Sequence, residues 1–326
     1  LAAIVKDYAR RAQGRAAAVV IDPDTGALLA SVSYPWPAME GLTGRGEDED
    51  HEALLDRARY GAYPPGSTFK LVVALAALRD GRGAANNIYT CSGLPDGRVG
   101  AVIRGWNRPI RDDVLDTRPH GTIGMHDALV HSCNAYFAQL AVALGPEPLL
   151  DTAGRFRIRL AREPADGGGG MLVRRVAQSI PQVGYGQAQV VASPLRMASV
   201  AATIAANGVL REPYVEENNR GAAQPAQVLS AADARLLGTY MRDVVVGGTG
   251  RSLRNHPWLI AGKTGTAEVS GEPSHSWFVG FAPFGPARRR IAFAVVIENA
   301  GYGGASAAPA GGEIVTAAAA AGLIAK

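Results

Sequence analysis

Leu259-Ile260-Ala261-Gly262-Lys263-Thr264-Gly265-Thr266-Ala267-Glu268 is the stretch on which the fold turns. It reads as a strand, and two further apolar or alternating runs follow at 276–282 and 291–298, with Gly and Pro between them. At the other end of the chain, residues 16–22 and 27–34 are β-rich and joined by Pro23-Asp24-Thr25-Gly26, a sequence suited to a hairpin turn. Two early strands and three late ones imply a sheet closed by both ends of the chain. The expected fold class is α/β in the α+β sense: a five-stranded, mainly antiparallel sheet flanked by helices. Residues 1–11 and 314–325 are helical by propensity and should pack on that sheet.

The middle of the chain has a different period. Residues 70–79, 125–144, 194–206 and 231–246 show helical periodicity, with loops expected at 163–170 and 217–227. A mostly helical subdomain, roughly 66–246, is therefore expected between sheet halves 1–65 and 247–326 of a single domain spanning 1–326. The acidic run Glu47-Asp48-Glu49-Asp50 reads as a solvated loop, and there is no internal repeat.

Composition excludes several classes. With 47% hydrophobic and 19% charged residues, the 326-residue chain is globular rather than disordered. A net charge of +4, scattered along the chain, argues against a nucleic-acid partner, and Arg288-Arg289-Arg290 reads as a solvated turn. No apolar stretch reaches bilayer-spanning length; residues 71–78 are long enough only for a core helix. The chain opens on Leu1 without a signal peptide, which is expected of a mature or excised fragment. Two cysteines, Cys91 and Cys133, are too few for a disulfide framework, and a buried packing role is expected for Cys133.

Lysine usage is the sharpest chemical signal. The chain has only Lys6, Lys70, Lys263 and Lys326, and arginine supplies the rest of its positive charge. Arginine stays protonated in proteins, whereas a desolvated lysine amine can act as a base. Lys70 lies three positions after Ser67, and Pro64-Pro65-Gly66 places that serine at a helix N-terminus, where unpaired N–H groups favour developing negative charge. At the i+3 position the amine shares a face with the hydroxyl, as a serine nucleophile and its lysine base require. Ser132-Cys133-Asn134 offers a proton-relaying hydroxyl and an amide able to hold a substrate carbonyl or N–H.

Lys263-Thr264-Gly265-Thr266 lies on a strand, where Gly265 suggests close approach to the backbone. Strict alternation puts Thr264 and Thr266 on one face and Lys263 on the other, so periodicity alone does not gather them at one site. Competing motifs fail. Gly262-Lys263-Thr264 ends like a phosphate-binding loop, but Pro257 stands where the earlier glycine is needed. The glycines at 167–170 are not followed by Lys-Ser/Thr and read as a flexible loop. His51-Glu52 lacks the second histidine of a zinc-protease motif, since position 55 is Leu55. His120, His126 and His131 share no metal-ligand spacing with a second cluster, so structural roles and no bound metal are expected.

The order S-x-x-K, S-x-N, K-T-G is shared by penicillin-binding proteins and related β-lactamases. Tyr63-Pro64-Pro65-Gly66-Ser67-Thr68-Phe69-Lys70, His131-Ser132-Cys133-Asn134, Gly184-Tyr185-Gly186-Gln187 and Ser193-Pro194-Leu195 resemble the class B penicillin-binding proteins. So do Gly248-Thr249-Gly250, the stretch from Ala261 to Glu268, and His275-Ser276-Trp277-Phe278-Val279-Gly280-Phe281-Ala282-Pro283. The resemblance covers almost the whole chain.

It implies a D,D-transpeptidase that cross-links peptidoglycan stem peptides ending in D-Ala-D-Ala and is acylated by β-lactams, with no cofactor. It further implies that Ser67 is the nucleophile, Lys70 its base, Ser132 the proton relay and Asn134 the amide holder. Lys263 would supply positive potential, Thr264 and Thr266 would bind the substrate carboxylate beside Gly265, and the Ser67 and Thr266 N–H groups would form the oxyanion hole. Members usually carry a membrane anchor and a pedestal domain, which implies an extracytoplasmic, periplasmic location and a glycosyltransferase partner. Neither anchor nor pedestal is visible here, and residues 40–50 align with no motif. Two alternatives share the motifs: a serine β-lactamase and a β-lactam-sensing receptor domain. A hydrolase needs a water-activating base, and residues 155–170 show no Glu with the Asn partner that class A β-lactamases use.

Overall fold

The computed structural model describes residues 1–37, 51–162, 169–215 and 224–325. Its central sheet has the order Leu28–Tyr34, Ala16–Ile21, Ile291–Ile297, Glu272–Ala282, Ala261–Val269, with every neighbouring pair antiparallel. The hairpin at 16–34 and the three late strands thus share one sheet. The hairpin turn is held locally: Asp22 Oδ1 accepts from the N–H groups of Asp24 (2.8 Å) and Thr25 (3.3 Å).

Strand Ala16–Ile21 is buried along its whole length, and its alternation sorts its side chains into two cores. Ala16, Ala18 and Val20 join Val5, Tyr8, Phe278, Phe293 and Ile314 beneath helices Ala2–Arg11 and Ala307–Ala320. Ala17, Val19 and Ile21 face the opposite core, with Trp277, Val279 and the buried helices Lys70–Arg79 and Pro194–Ala205. The sheet is therefore covered on both faces, and the apolar runs in its strands follow from that.

The helical middle departs from the sequence expectation in instructive places. The helix expected over 125–144 is two helices, Met125–Val130 and Asn134–Leu144. Ser132 breaks it with a left-handed φ of 60°, a conformation that no helix interior accommodates. A four-stranded antiparallel sheet of Tyr89–Gly93, Val99–Ala101, Ile110–Arg111 and Gly121–Ile123 was not expected, because strands of two to five residues are too short to show a period. Helices Pro146–Arg155 and Gly169–Ala177 are likewise additions.

The last helix begins at Ala307 and ends at Ala320, earlier at both ends than its propensity suggested. Gly311 and Gly312 hid its start, since glycine is a poor helix former. The acidic run 47–50 lies outside the described residues. So does most of the two expected loops; at their described ends, Gly169 opens a helix and Ala226–Gln227 pairs with Val209–Leu210.

Gly311 packs helix Ala307–Ala320 tightly against the sheet. A Cβ there would lie 2.6 Å from Phe278 Cδ1 and 3.0 Å from Phe293 Cε2. Gly311→Val should therefore overpack this core and cost about 1–3 kcal/mol. A urea titration should show a lower midpoint with an unchanged slope; an unmoved midpoint would refute the packing account.

Candidate active site

The Pro64-Pro65 pair halts the incoming chain, and residues Gly66–Phe69 form one 3₁₀ turn that runs directly into helix Lys70–Arg79. That helix is buried from Lys70 to Ala77, so it presents no polar face. Lys70 consequently carries its amine into the protein interior rather than to solvent. The turn is held from two sides: Thr68 Oγ1 donates to Pro65 O at 2.7 Å, and Trp277 Nε1 donates to Pro64 O at 3.1 Å.

Lys70 Nζ sits among four oxygens. It lies 3.1 Å from Ser67 Oγ, 3.2 Å from Ser132 Oγ and 2.7 Å from Asn134 Oδ1, and it also donates to the Ser132 carbonyl. The left-handed turn at Ser132 brings that carbonyl and hydroxyl to the amine together. Two of the four oxygens, the carbonyl and the amide, can only accept. They take the two N–H bonds of a neutral amine and leave its lone pair for a serine hydroxyl proton.

Lys263 completes the array from the sheet. Its Nζ is 2.8 Å from Ser132 Oγ and 3.1 Å from Thr264 O, so a single hydroxyl lies between two lysine amines. Burial holds the Lys70 amine down at about 8. Burial, reinforced by the Lys70 charge, holds Lys263 well below the usual lysine range.

The strand Ala261–Val269 is the sheet's edge, and alternation along it is obeyed. Lys263 and Gly265 face the nucleophile turn, and a Cβ on Gly265 would lie 2.8 Å from Thr68 Cγ2 and 3.0 Å from Pro65 O. Only glycine lets the turn sit this close to the strand. Thr264 and Thr266 point the other way: Thr264 Oγ1 is 2.5 Å from Thr249 Oγ1, and Thr266 Oγ1 accepts from Gly303 N at 3.4 Å. The structure thus gathers Ser67, Lys70, Ser132, Asn134 and Lys263 in one hydrogen-bonded cluster. It sets the threonine hydroxyls beside that cluster, across the strand.

Three contributors had no assigned role in the sequence. Thr249 belongs to the Gly248-Thr249-Gly250 motif, but spacing did not connect it to Thr264. Asp112, 3% exposed, accepts through Oδ1 from Ala135 N at 3.0 Å and from Asn134 N, and so anchors the start of helix Asn134–Leu144. Tyr302 follows the last strand, and its hydroxyl donates to Asp113 Oδ1 at 3.2 Å, joining the sheet side to the Asp112 loop. Arg288 and Arg289 are exposed, as a solvated turn requires, while Arg289 also donates to Gly322 O and Arg290 to Ala205 O.

A serine whose proton faces a buried lysine amine, on a mixed fold of antiparallel sheets flanked by helices, defines a serine acyl-transfer enzyme of the penicillin-recognising class. The penicillin-binding protein transpeptidase domain matches residues 16–316, and the chain belongs to that family, in its class B branch. It is 29% identical to the peptidoglycan D,D-transpeptidase PbpA of Mycolicibacterium smegmatis, over 93% of this chain and 67% of that protein. It is 30% identical to the peptidoglycan D,D-transpeptidase MrdA of Acinetobacter baumannii, over 90% of this chain and 49% of that one. The structure superposes on the ceftriaxone acyl-enzyme complex of penicillin-binding protein A from M. tuberculosis with a TM-score of 0.75. That match has 26% identity and covers 97% of this chain and 77% of the other.

The amine geometry has a pH signature. Lys70 faces the Lys263 amine and feels the carboxylates of Asp112, Asp113 and Asp116; burial outweighs those carboxylates. The neutral, proton-accepting form grows as pH rises, so Ser67 labelling by a fluorescent penicillin should climb with a midpoint near 8. Stopped-flow rates that are flat between pH 6 and 9 would contradict a lysine base.

Proposed function

We propose that this chain is a peptidoglycan D,D-transpeptidase that works through an acyl-enzyme on Ser67 and is acylated there by β-lactams. The observation that carries the reading is the Lys70 amine, whose two pure acceptors leave its lone pair for the Ser67 hydroxyl 3.1 Å away. Ser67 Oγ attacks the carbonyl between the two D-Ala residues of a stem peptide while its proton passes to Lys70 Nζ. Ser132 Oγ, between Lys70 and Lys263, relays a proton to the departing D-Ala amine. An acceptor amine then attacks the ester, and the same groups run in reverse.

The remaining roles follow from position. The Thr266 carbonyl lies toward Gly66, and a strand residue directs its N–H and C=O to the same edge. The Thr266 N–H therefore faces the cleft and pairs with the Ser67 N–H as an oxyanion hole, where losing one donor costs about 10²–10³ in rate. The hydroxyls of Thr264, Thr266 and Thr249 suit the terminal carboxylate, with Gly265 keeping the wall thin and Lys263 adding positive potential. Asn134, held by Arg111 O at 3.1 Å, offers its amide to the substrate backbone.

The transpeptidase reading is preferred to a β-lactamase. The described partners of Ser67 and Lys70 include no carboxylate that could activate a hydrolytic water. The substrate places the domain at the extracytoplasmic face of the membrane, held there by an N-terminal anchor. There a glycosyltransferase that polymerises the glycan strands is its natural partner. Among the described residues, no helix is long and apolar enough to cross a membrane.

Ser67→Ala should remove covalent penicillin labelling while leaving the circular dichroism spectrum unchanged. Lys70→Arg should slow labelling by roughly 10²–10⁴-fold, because the guanidinium keeps the charge and cannot take the proton. The penicilloyl adduct on the unaltered protein should persist for many minutes by intact mass. D-Ala should be released from a stem-peptide analogue in a Ser67-dependent way. Rapid catalytic penicillin hydrolysis would instead establish a β-lactamase, and stable labelling without D-Ala release a receptor.

We also propose that residues 1–326 act as a single catalytic unit, with the helical part at roughly 66–246 braced by strands from both chain ends. Hydrogen exchange should then show residues 16–34 opening together with residues 261–297. Independent opening of the N-terminal hairpin would dissolve the unit.

A further inference from the structure

A cleft with about 420 Å³ of open space, the size of a small-molecule site, takes no part in the acyl transfer described above. Arg59, Arg157, Arg159 and Arg196 line it, against Glu212 as its one lining carboxylate among the described residues. These five come from four separate segments, and backbone hydrogen bonds pin the walls together. Arg159 exchanges two with Val191, at 3.2 and 2.9 Å, and Ala192 exchanges two with Tyr63, at 3.1 and 2.9 Å. The first turn of helix Pro194–Ala205, capped by Ser193, also lines the cleft and adds the positive end of its dipole. Leu28, Leu195 and Val215 give it an apolar side.

The arginines are under-used. A single oxygen, Glu212 Oε1, serves two of them, at 2.8 Å from Arg196 and 3.4 Å from Arg157. Arg59 is partly committed to Asp56, and the Arg159 side chain has no hydrogen bond or ion pair among the described residues. Phe156 and Ile158 are buried, which leaves Arg157 and Arg159 together on the outer side of their segment. Arg157 carries a second sign. Its φ of 54° is left-handed, just past helix Pro146–Arg155, where glycine is the usual residue. A residue with a Cβ stands there at a conformational cost, and what it places at the cleft is a guanidinium. Four guanidiniums against one carboxylate leave the cleft strongly positive, and guanidinium forks match the oxygens of a phosphate group.

We propose that this cleft binds a phosphate or diphosphate ester, its oxygens taken by Arg157, Arg159 and Arg196 and its organic body laid against Leu28, Leu195 and Val215. The ligand has to displace Glu212 from two guanidiniums. A carboxylate would only exchange like for like, whereas a phosphate or diphosphate brings more charge and more acceptor oxygens than the group it replaces. The site shares no residue with the acyl-transfer cluster, so it does not rest on the transpeptidase reading.

The test is calorimetric titration of the full chain with inorganic pyrophosphate, where one site per chain is expected and Ser67→Ala should bind as the unaltered protein does. Arg159→Gln should weaken binding about 10–100-fold, the worth of a hydrogen bond to a charged group, and it breaks no side-chain contact among the described residues. Arg157→Gly should also weaken binding without lowering the melting temperature, because glycine relieves the left-handed backbone. Glu212→Gln should tighten binding, since the competing carboxylate is gone. Sedimentation with phosphatidylcholine vesicles, with and without phosphatidic acid, identifies the source. Arg159-dependent capture by the phosphatidic acid vesicles assigns a lipid headgroup, and pyrophosphate binding without such capture assigns a soluble phosphate ester. Three results would each overturn the site: no saturable binding of either pyrophosphate or the phosphatidic acid vesicles, unchanged affinity in both arginine variants, or weaker binding by Glu212→Gln.

Discussion

Placing a lysine amine inside an apolar helix is the constraint from which the rest of this site follows. Residues 71–77 are fully buried, so Lys70 cannot reach water, and a buried ammonium without compensation is expensive. The protein meets that demand with acceptors rather than a directly paired carboxylate: the Ser132 carbonyl and Asn134 Oδ1 occupy the N–H bonds. A neutral amine then becomes affordable at ordinary pH, and the same arrangement aims its lone pair at Ser67. The left-handed backbone at Ser132 is part of this solution, because a continuous helix would turn both the carbonyl and the hydroxyl away.

The sheet solves the second problem, which is to hold the nucleophile turn against an edge strand with little freedom. Trp277 reaches through from the neighbouring strand to Pro64, and Gly265 removes the side chain that would push Thr68 and Pro65 away. The strand Glu272–Ala282 is paired on both sides, so the Trp277 anchor is carried by one of the least yielding parts of the sheet. The early hairpin matters because it buries the far side of Ile291–Ile297, which would otherwise leave an open edge.

Behind the reacting groups lies a third layer of control. Asp112 uses one oxygen to start helix Asn134–Leu144 and turns the other toward two thiols and an imidazole. The Ser132–Asn134 turn is thus held by contacts from Asp112 to Cys133, Asn134 and Ala135. Positioning of this kind sets how well catalytic hydrogen bonds align, and misplacement of about 1 Å can cost a hundredfold in rate.

Much was legible in the residues alone. The sparing use of lysine marked Lys70 and Lys263, and the order of the three motifs pointed to one family. Alternation in the end strands and the Pro23–Gly26 turn indicated a sheet shared by both chain ends, because a period of two is a local property that needs no partner to be seen. Alternation also correctly separated Lys263 from Thr264 and Thr266. Only the tertiary structure showed that this is no obstacle, since an edge strand has a cleft on its free side and a long lysine side chain can reach it. The break at Ser132, the capping by Asp112, the Thr249–Thr264 contact and the meeting of Cys91, Asp112, His120 and Cys133 depend on segments far apart in the chain. Their spacing in sequence carries no trace of their distance in space, and packing alone decided them.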